Sequence, residues 1–311
     1  MLWALILSTI LAICSSNWTM IWMCLEINAL IMCFLMTKTI EKNSLKTTPT
    51  FLYFCVQVLT SIMMILMISK ENTTLHLMVI IFLLMKMGSW PFHGWYLTLF
   101  NSMELSQPPL FIIMTWQKVI PMVMIFNIYM EWKTSLMLMM MAMGTLVVPL
   151  IYMKKNMSLK TLLALSSLNN NGWLLMTIFC SKKLAFLFLL FYALSLLWMV
   201  ELTKKMKTKK NMNPSSSLTV TLIVSNMGGI PPMTMFWAKT STVKFLMNEK
   251  FFQIISMILV MSACYLLYFY LTMLMSEIMK TPLKTLNPKM KVMKLMNMKI
   301  MLMSMSSFLL I

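Results

Sequence analysis

The chain has 311 residues, of which 60% are hydrophobic and 11% charged, and a formal net charge of +18. Soluble domains are about 25% charged, so this composition excludes an ordinary soluble domain and points to a polytopic membrane protein. The lysines lie between apolar stretches and not on one polar domain, so they read as membrane-flanking loops and not as a nucleic-acid surface.

A membrane span takes about 20 mostly apolar residues. Eleven segments fit, at about 2–14, 19–37, 50–69, 74–90, 108–127, 134–153, 160–180, 184–203, 217–243, 251–275 and 295–311. The expected fold is therefore an all-α polytopic membrane protein with about eleven transmembrane helices in a single domain, 1–311. The first segment is short, but no basic region follows Met1 and similar segments recur to the end. It is expected to be a span and not a cleaved signal.

The second segment carries Glu26 within Trp22-Met-Cys-Leu-Glu-Ile-Asn-Ala-Leu30. A charge at the bilayer centre costs about 2.5–3.5 kcal/mol even on lenient insertion scales, and intramembrane ionisable groups usually mark function. The other reading is a neutral carboxyl at a loose helix seam. The fourth segment carries Lys86 five residues before Pro91, in Lys86-Met-Gly-Ser-Trp-Pro91. Lys86 either snorkels to the interface or is a buried lysine that releases and regains a proton. His93 follows, as a proton relay or a hydrogen-bonded interfacial histidine, whereas His76 reads as interfacial. Lys118, in Thr115-Trp-Gln-Lys-Val-Ile-Pro121, falls near the middle of the fifth segment, where snorkelling is hard.

The seventh segment contains a polar run, Ser166, Ser167, Asn169, Asn170 and Asn171. It is read as the lining of a hydrated path, with interhelical glue as the other reading. The basic run Lys204–Lys210 reads as a solvated loop meeting anionic lipid, such as cardiolipin. The ninth segment is broken at Pro231 and Pro232, in Gly229-Ile-Pro-Pro-Met-Thr-Met-Phe-Trp-Ala-Lys239. Lys239 is either a buried charge or the start of a loop.

Proline removes a backbone donor and clashes with the preceding turn. Broken helices at matching places in two halves point to a transport site. Here they are the fourth of the first five segments and the fourth of the next five. That spacing predicts two five-helix repeats, 1–130 and 131–280, followed by a terminal segment, 281–311. Five is odd, so the repeats would be inverted. With the N-terminus on one side, sixteen loop lysines fall on that side and six on the other. The N-terminus is therefore expected inside.

The six cysteines form no C-x-x-C pair and most sit in apolar spans. They read as small buried hydrophobes. No zinc, iron–sulfur, P-loop or dinucleotide pattern occurs, so no cofactor and no metal is expected on this chain. There is no Asp and no Arg, while Met occurs 43 times. Such a bias suggests a genome with a variant code, as in many mitochondria.

Together, Cys24-Leu-Glu-Ile-Asn28, Lys86-Met-Gly-Ser-Trp-Pro-Phe-His-Gly-Trp95, Thr115-Trp-Gln-Lys118, Leu162-Leu-Ala-Leu-Ser-Ser167 with Gly172-Trp173, and Gly229-Ile-Pro-Pro-Met-Thr-Met-Phe-Trp-Ala-Lys239 run nearly the length of the chain. In that order they resemble the subunit 2 family of mitochondrial NADH:ubiquinone oxidoreductase (respiratory complex I), one of its antiporter-like membrane subunits. The resemblance implies proton translocation across the mitochondrial inner membrane, with the N-terminus in the matrix and the C-terminus toward the intermembrane space. It implies other membrane-arm and accessory subunits of the complex as partners, and it places FMN, iron–sulfur clusters and ubiquinone in partner subunits and not on this chain. It further implies that Glu26 pairs with Lys86 and that Lys118 links to Lys239 along a charged, hydrated axis. Two departures stand out. Asn170 occupies a position where the family often has His, and Ala238-Lys239-Thr240 replaces the usual Pro-Lys-Trp. Two rival readings share the residues: an Mrp-type cation/proton antiporter subunit, and a structural membrane-arm scaffold without a proton path.

Overall fold

The computed structural model describes residues 2–15, 17–40, 47–68, 73–103, 112–113, 115–128, 132–154, 157–208, 226–231, 233–248 and 252–280. Every regular element among them is helical: α1 (Leu2–Cys14), α2 (Trp18–Ile40), α3 (Thr47–Ile68), α4 (Thr73–Met87), α5 (Gly94–Ser102), a 3-10 turn (Trp116–Lys118) running into α6 (Val119–Ile128), α7 (Trp132–Tyr152), α8 (Leu159–Cys180), α9 (Lys182–Thr208), α10 (Thr234–Met247) and α11 (Gln253–Lys280). Leu and Met, both good helix formers, dominate these segments. Five helices are long and apolar enough to cross a membrane: α2, α3, α7, α9 and α11. The protein is thus a multi-pass, all-helical membrane protein. The last expected segment, 295–311, and the start of the ninth, 217–225, lie outside the described residues, as does Pro232.

The chain divides into two compact units, one of Met1–Ile151 with Leu163–Ile178, the other of Tyr152–Leu162 with Phe179–Ile311. In the first, α2 packs on α1 and α3, α3 on α4 and α5, and α4 on the 3-10 turn and α6. Met32, Met36, Tyr53, Met64, Tyr96, Phe100 and Trp173 are fully buried there. Flexible thioethers fill the gaps between such rings. The outer faces are apolar, with Phe34, Phe51, Leu59, Met140 and Ile151 exposed, as lipid-facing helices require. Helices α7 and α8 approach closely at Gly172, where an added Cβ would sit 2.7 Å from Leu146 Cγ. Small residues permit such crossings between membrane helices.

The fourth segment does not run through to Trp90. α4 stops at Met87, and a short helix unforeseen from the spacing, α5, begins at Gly94. Gly88 takes a φ of +70°. Its N–H donates to Met85 O at 3.1 Å and the Ser89 N–H to Leu84 O at 3.1 Å. That pair of bonds is a Schellman ending, which needs a residue at ease in the left-handed region.

A helix end leaves its last four carbonyls without helical partners, and in a membrane they need protein donors. Each of the four has one here. Leu84 O also accepts from Ser89 Oγ at 2.9 Å, and Met85 O from Trp95 Nε1 at 3.1 Å. Lys86 O accepts from Gln57 Nε2 at 3.4 Å, and Met87 O from Asn171 Nδ2 at 3.4 Å. Ser89 belongs to the turn itself, and the other three donors come from α3, α5 and α8.

In the second unit, α10 packs against α9 and α11. The break before α10 repeats the device, with Gly229 at φ +81° and its N–H on Asn226 O at 3.0 Å. Asn226 Oδ1 reaches across the break to accept from Thr234 Oγ1 at 3.1 Å and from the Met235 N–H at 3.4 Å. The cap residue itself, Met233, offers no side-chain bond. Asn226 therefore supplies the capping acceptor from eight residues upstream of Thr234.

Candidate functional site

The first unit holds three of the expected charged groups. Lys86, one residue from the end of α4, is 2% exposed, so it does not snorkel. Glu26 on α2 acts on it electrostatically. Yet neither Lys86 Nζ nor Glu26 Oε1 has a hydrogen-bond partner among the described residues, although both atoms are buried. The two charges feel each other without touching. Buried ionised groups in that position are ordinarily met by water or by a further polar group.

Lys118 is 1% exposed. It closes the 3-10 turn at the head of α6. The reason is local: the Lys118 N–H bonds to Thr115 O, three residues back, and α6 then carries Pro121 in its first turn, where a missing N–H costs nothing. The Lys118 ammonium lies over the Tyr96 ring, 5.5 Å from its centroid.

Neutral polar side chains link these charges. Gln117, beside Lys118, donates from Nε2 to the Tyr53 hydroxyl at 2.8 Å, and Glu26 acts electrostatically on the same tyrosine. Tyr53 is wholly buried. Its oxygen accepts from Gln117, so its own proton remains available to donate. Tyr96 and Ser167 are 2.6 Å apart, oxygen to oxygen. Ser167 Oγ donates to Ala164 O at 2.6 Å, which uses its single proton, so Tyr96 is the donor of the pair. Gln117, Tyr53 and Tyr96 were not among the residues singled out from sequence. Gln117 stands inside the Thr-Trp-Gln-Lys motif, but its partner Tyr53 lies 64 residues away.

The polar run of α8 does two things. Ser167 and Asn171 tie α8 to α5 and to the end of α4. Both amide atoms of Asn169 and of Asn170 are buried and unpartnered among the described residues. An unmet buried amide atom costs about 1–3 kcal/mol, so these edges belong to a hydrated region or to a neighbouring polar surface. His93 precedes α5 and is half-buried, with the Pro91 backbone close by. Pro91 and Pro231 are exposed, and His76 is exposed.

In the second unit, Lys239 lies within α10 and is 6% exposed, so it is a helix residue and not the first of a loop. Its side chain folds back along the broken turn. A Cβ built on Gly229 would lie 3.5 Å from both its Cδ and its Nζ. Cys264 of α11 is within electrostatic range. The six cysteines are free thiols.

The model of the family described as NADH:quinone oxidoreductase/Mrp antiporter, transmembrane, matches residues 66–265. NADH-ubiquinone oxidoreductase chain 2 of Anopheles gambiae is 31% identical, covering 86% of this chain and 82% of that protein. The chain 2 of Lumbricus terrestris is 28% identical over 89% of this chain and 86% of its own length. In fold, a chain of respiratory complex I from Thermus thermophilus matches with a TM-score of 0.72 at 14% identity, covering 86% of this chain and 67% of that one. A chain of the Mrp complex from Dietzia sp. DQ12-45-1b matches with the same TM-score, covering 85% and 57%. A family match over residues 66–265 that takes in Lys86, Lys118 and Lys239 means that this chain belongs to the NADH:quinone oxidoreductase/Mrp antiporter membrane family.

Proposed function

We propose that the chain is the chain 2 membrane-arm subunit of respiratory complex I, translocating protons across the mitochondrial inner membrane. Electron transfer from NADH to ubiquinone in other subunits drives it. The observation that carries the reading is the burial of Lys86 and Lys118 beside Glu26 and Tyr96, in a chain of this family. In this reading eleven spans form two inverted five-helix repeats, 1–130 and 131–280, with a terminal segment after them. The N-terminus lies in the matrix and the C-terminus faces the intermembrane space. FMN, iron–sulfur clusters and ubiquinone are held by partner subunits, and the lysine-rich loops meet anionic lipid.

The chemistry is proton exchange on four side chains. While Glu26 is ionised it favours the ammonium form of Lys86, because opposite charges attract strongly where water is scarce. A charge change arriving from the redox subunits weakens that hold, and the Lys86 proton passes through the polar groups around Tyr53 and Gln117 toward Lys118. Lys239 is the carrier of the second unit. Asn170, which cannot change protonation, orients water in place of the family's frequent histidine. Moving one charge through 100 mV costs about 2.3 kcal/mol, a sum that rearranging one buried ion pair can supply.

The test is protons pumped per NADH oxidised in an assembled Lys239→Met complex. A lowered ratio is expected, and an unchanged ratio removes Lys239 from the path. A second reading, an Mrp-type cation/proton antiporter subunit, draws on the equal TM-score to the Mrp complex. Sodium-dependent exchange without NADH oxidation would favour it.

A further inference from the structure

We propose that Tyr96 is a positioning residue for Lys118, holding its ammonium over a ring face that Ser167 and Gly88 lock in place.

The ring is 1% exposed and buried on every side. Trp95 meets it edge-on, with centroids 5.9 Å apart, and Phe100 flanks it at 6.1 Å. Its hydroxyl is fixed as a donor to Ser167 on α8, whose own proton is committed to Ala164. Its Cβ is held by the α4–α5 turn, where only hydrogen on Gly88 leaves space. Three anchors from three elements thus fix one aromatic plane. Over that plane stands the Lys118 ammonium, 5.5 Å from the centroid, inside the roughly 6 Å range of a cation–π contact.

The chemistry explains why an aromatic suits this place. An ammonium in an apolar interior gains from a negative ring face, and the contact is strongest when water is excluded. A carboxylate there would hold the proton too firmly for repeated transfer. A ring attracts the charge yet offers no atom that takes the proton away. Tyr96 therefore keeps Lys118 in one position and lets the proton arrive and leave by other groups.

The inference deepens the proton-translocation reading and rests on it. The test uses assembled complex in inner-membrane vesicles, measuring protons pumped per NADH oxidised. The variants are Lys118→Met, Tyr96→Leu and Tyr96→Phe. Lys118→Met is expected to lower the ratio, Tyr96→Leu to lower it toward the same value, and Tyr96→Phe, which keeps the ring face, to restore most of it. Where Tyr96→Leu fails to assemble, Tyr96→Met fills the space with a flexible chain and takes its place. If Lys118→Met pumps normally, the translocation role of Lys118 fails and the inference falls with it. If Lys118→Met is impaired but Tyr96→Leu pumps normally, only the role of Tyr96 is overturned. Equal losses for Tyr96→Leu and Tyr96→Phe would assign the effect to the hydroxyl and also overturn it.

Discussion

Two glycines six residues apart make opposite predictions. Gly88 ends α4 at φ +70°. An L-residue held in that region costs about 1–2 kcal/mol. An added Cβ would also lie 3.0 Å from Tyr96 Cβ and 3.2 Å from Trp95 Cζ2. Carbon atoms in contact prefer about 3.5–4.0 Å, and Tyr96 Cβ is fixed to the backbone, so it cannot swing aside. Overpacking of this kind costs about 1–3 kcal/mol. The two terms together put Gly88→Ala about 2–5 kcal/mol below wild type. Gly94 starts α5, and its added Cβ meets nothing within 4 Å. There the same change restricts the unfolded chain and is neutral or stabilising by about 0.4–1 kcal/mol. The assay is the amount of assembled complex on blue-native gels, followed by NADH:ubiquinone activity surviving a heat step. Gly88→Ala should assemble poorly and inactivate at lower temperature, and Gly94→Ala should match wild type. Equal behaviour of the two variants would refute both the conformational and the packing argument.

Three other perturbations follow from the contacts above. Glu26→Gln and Lys86→Gln should each lower pumping, and the double variant should be no worse than the worse single one. The coupling should be about 0.5–3 kcal/mol, and strictly additive losses would mean that the two charges are independent. Asn226→Ala removes the acceptor that caps α10 and should cost about 1 kcal/mol, read as earlier heat inactivation, and wild-type heat resistance would mean that this cap contributes nothing. Gln117→Leu removes the 2.8 Å bond to Tyr53 and should cost about 1 kcal/mol. It should also slow pumping more than NADH oxidation, and parallel losses of both would reduce Gln117 to a packing role.

Much of this molecule can be read from one-dimensional pattern. Span-length apolar runs announce α2, α3, α7, α9 and α11, because a membrane solvent penalises anything else. The charges at 26, 86, 118 and 239 stand out for the same reason. The breaks near Pro91 and Pro231 are legible as proline signals. The way each break is sealed is not. Gln57, Trp95 and Asn171 reach the end of α4 from other helices, and no local spacing encodes such a meeting. The 3-10 turn that carries Lys118 at the head of α6 is not legible either, because it looks like any apolar stretch when only hydropathy is read. The hydroxyl-bearing residues show a further limit of local pattern. Ser61, Ser166 and Thr242 donate to the carbonyl three residues back, so a hydroxyl within a span is often consumed by its own helix. The long-range bonds come from the amides of Gln57, Gln117 and Asn171 and from the Tyr96 hydroxyl.

The four sealed carbonyls at the end of α4 have a mechanical meaning. A helix terminus stitched to three neighbours behaves as a weld and not as a hinge. Whatever shifts beside Lys86 during turnover must then be light: a rotating alkyl chain, a reorienting solvent molecule, a hopping proton. Slow amide hydrogen exchange at Gly88 and Ser89, persisting while the enzyme works, is the signature this rigidity should leave.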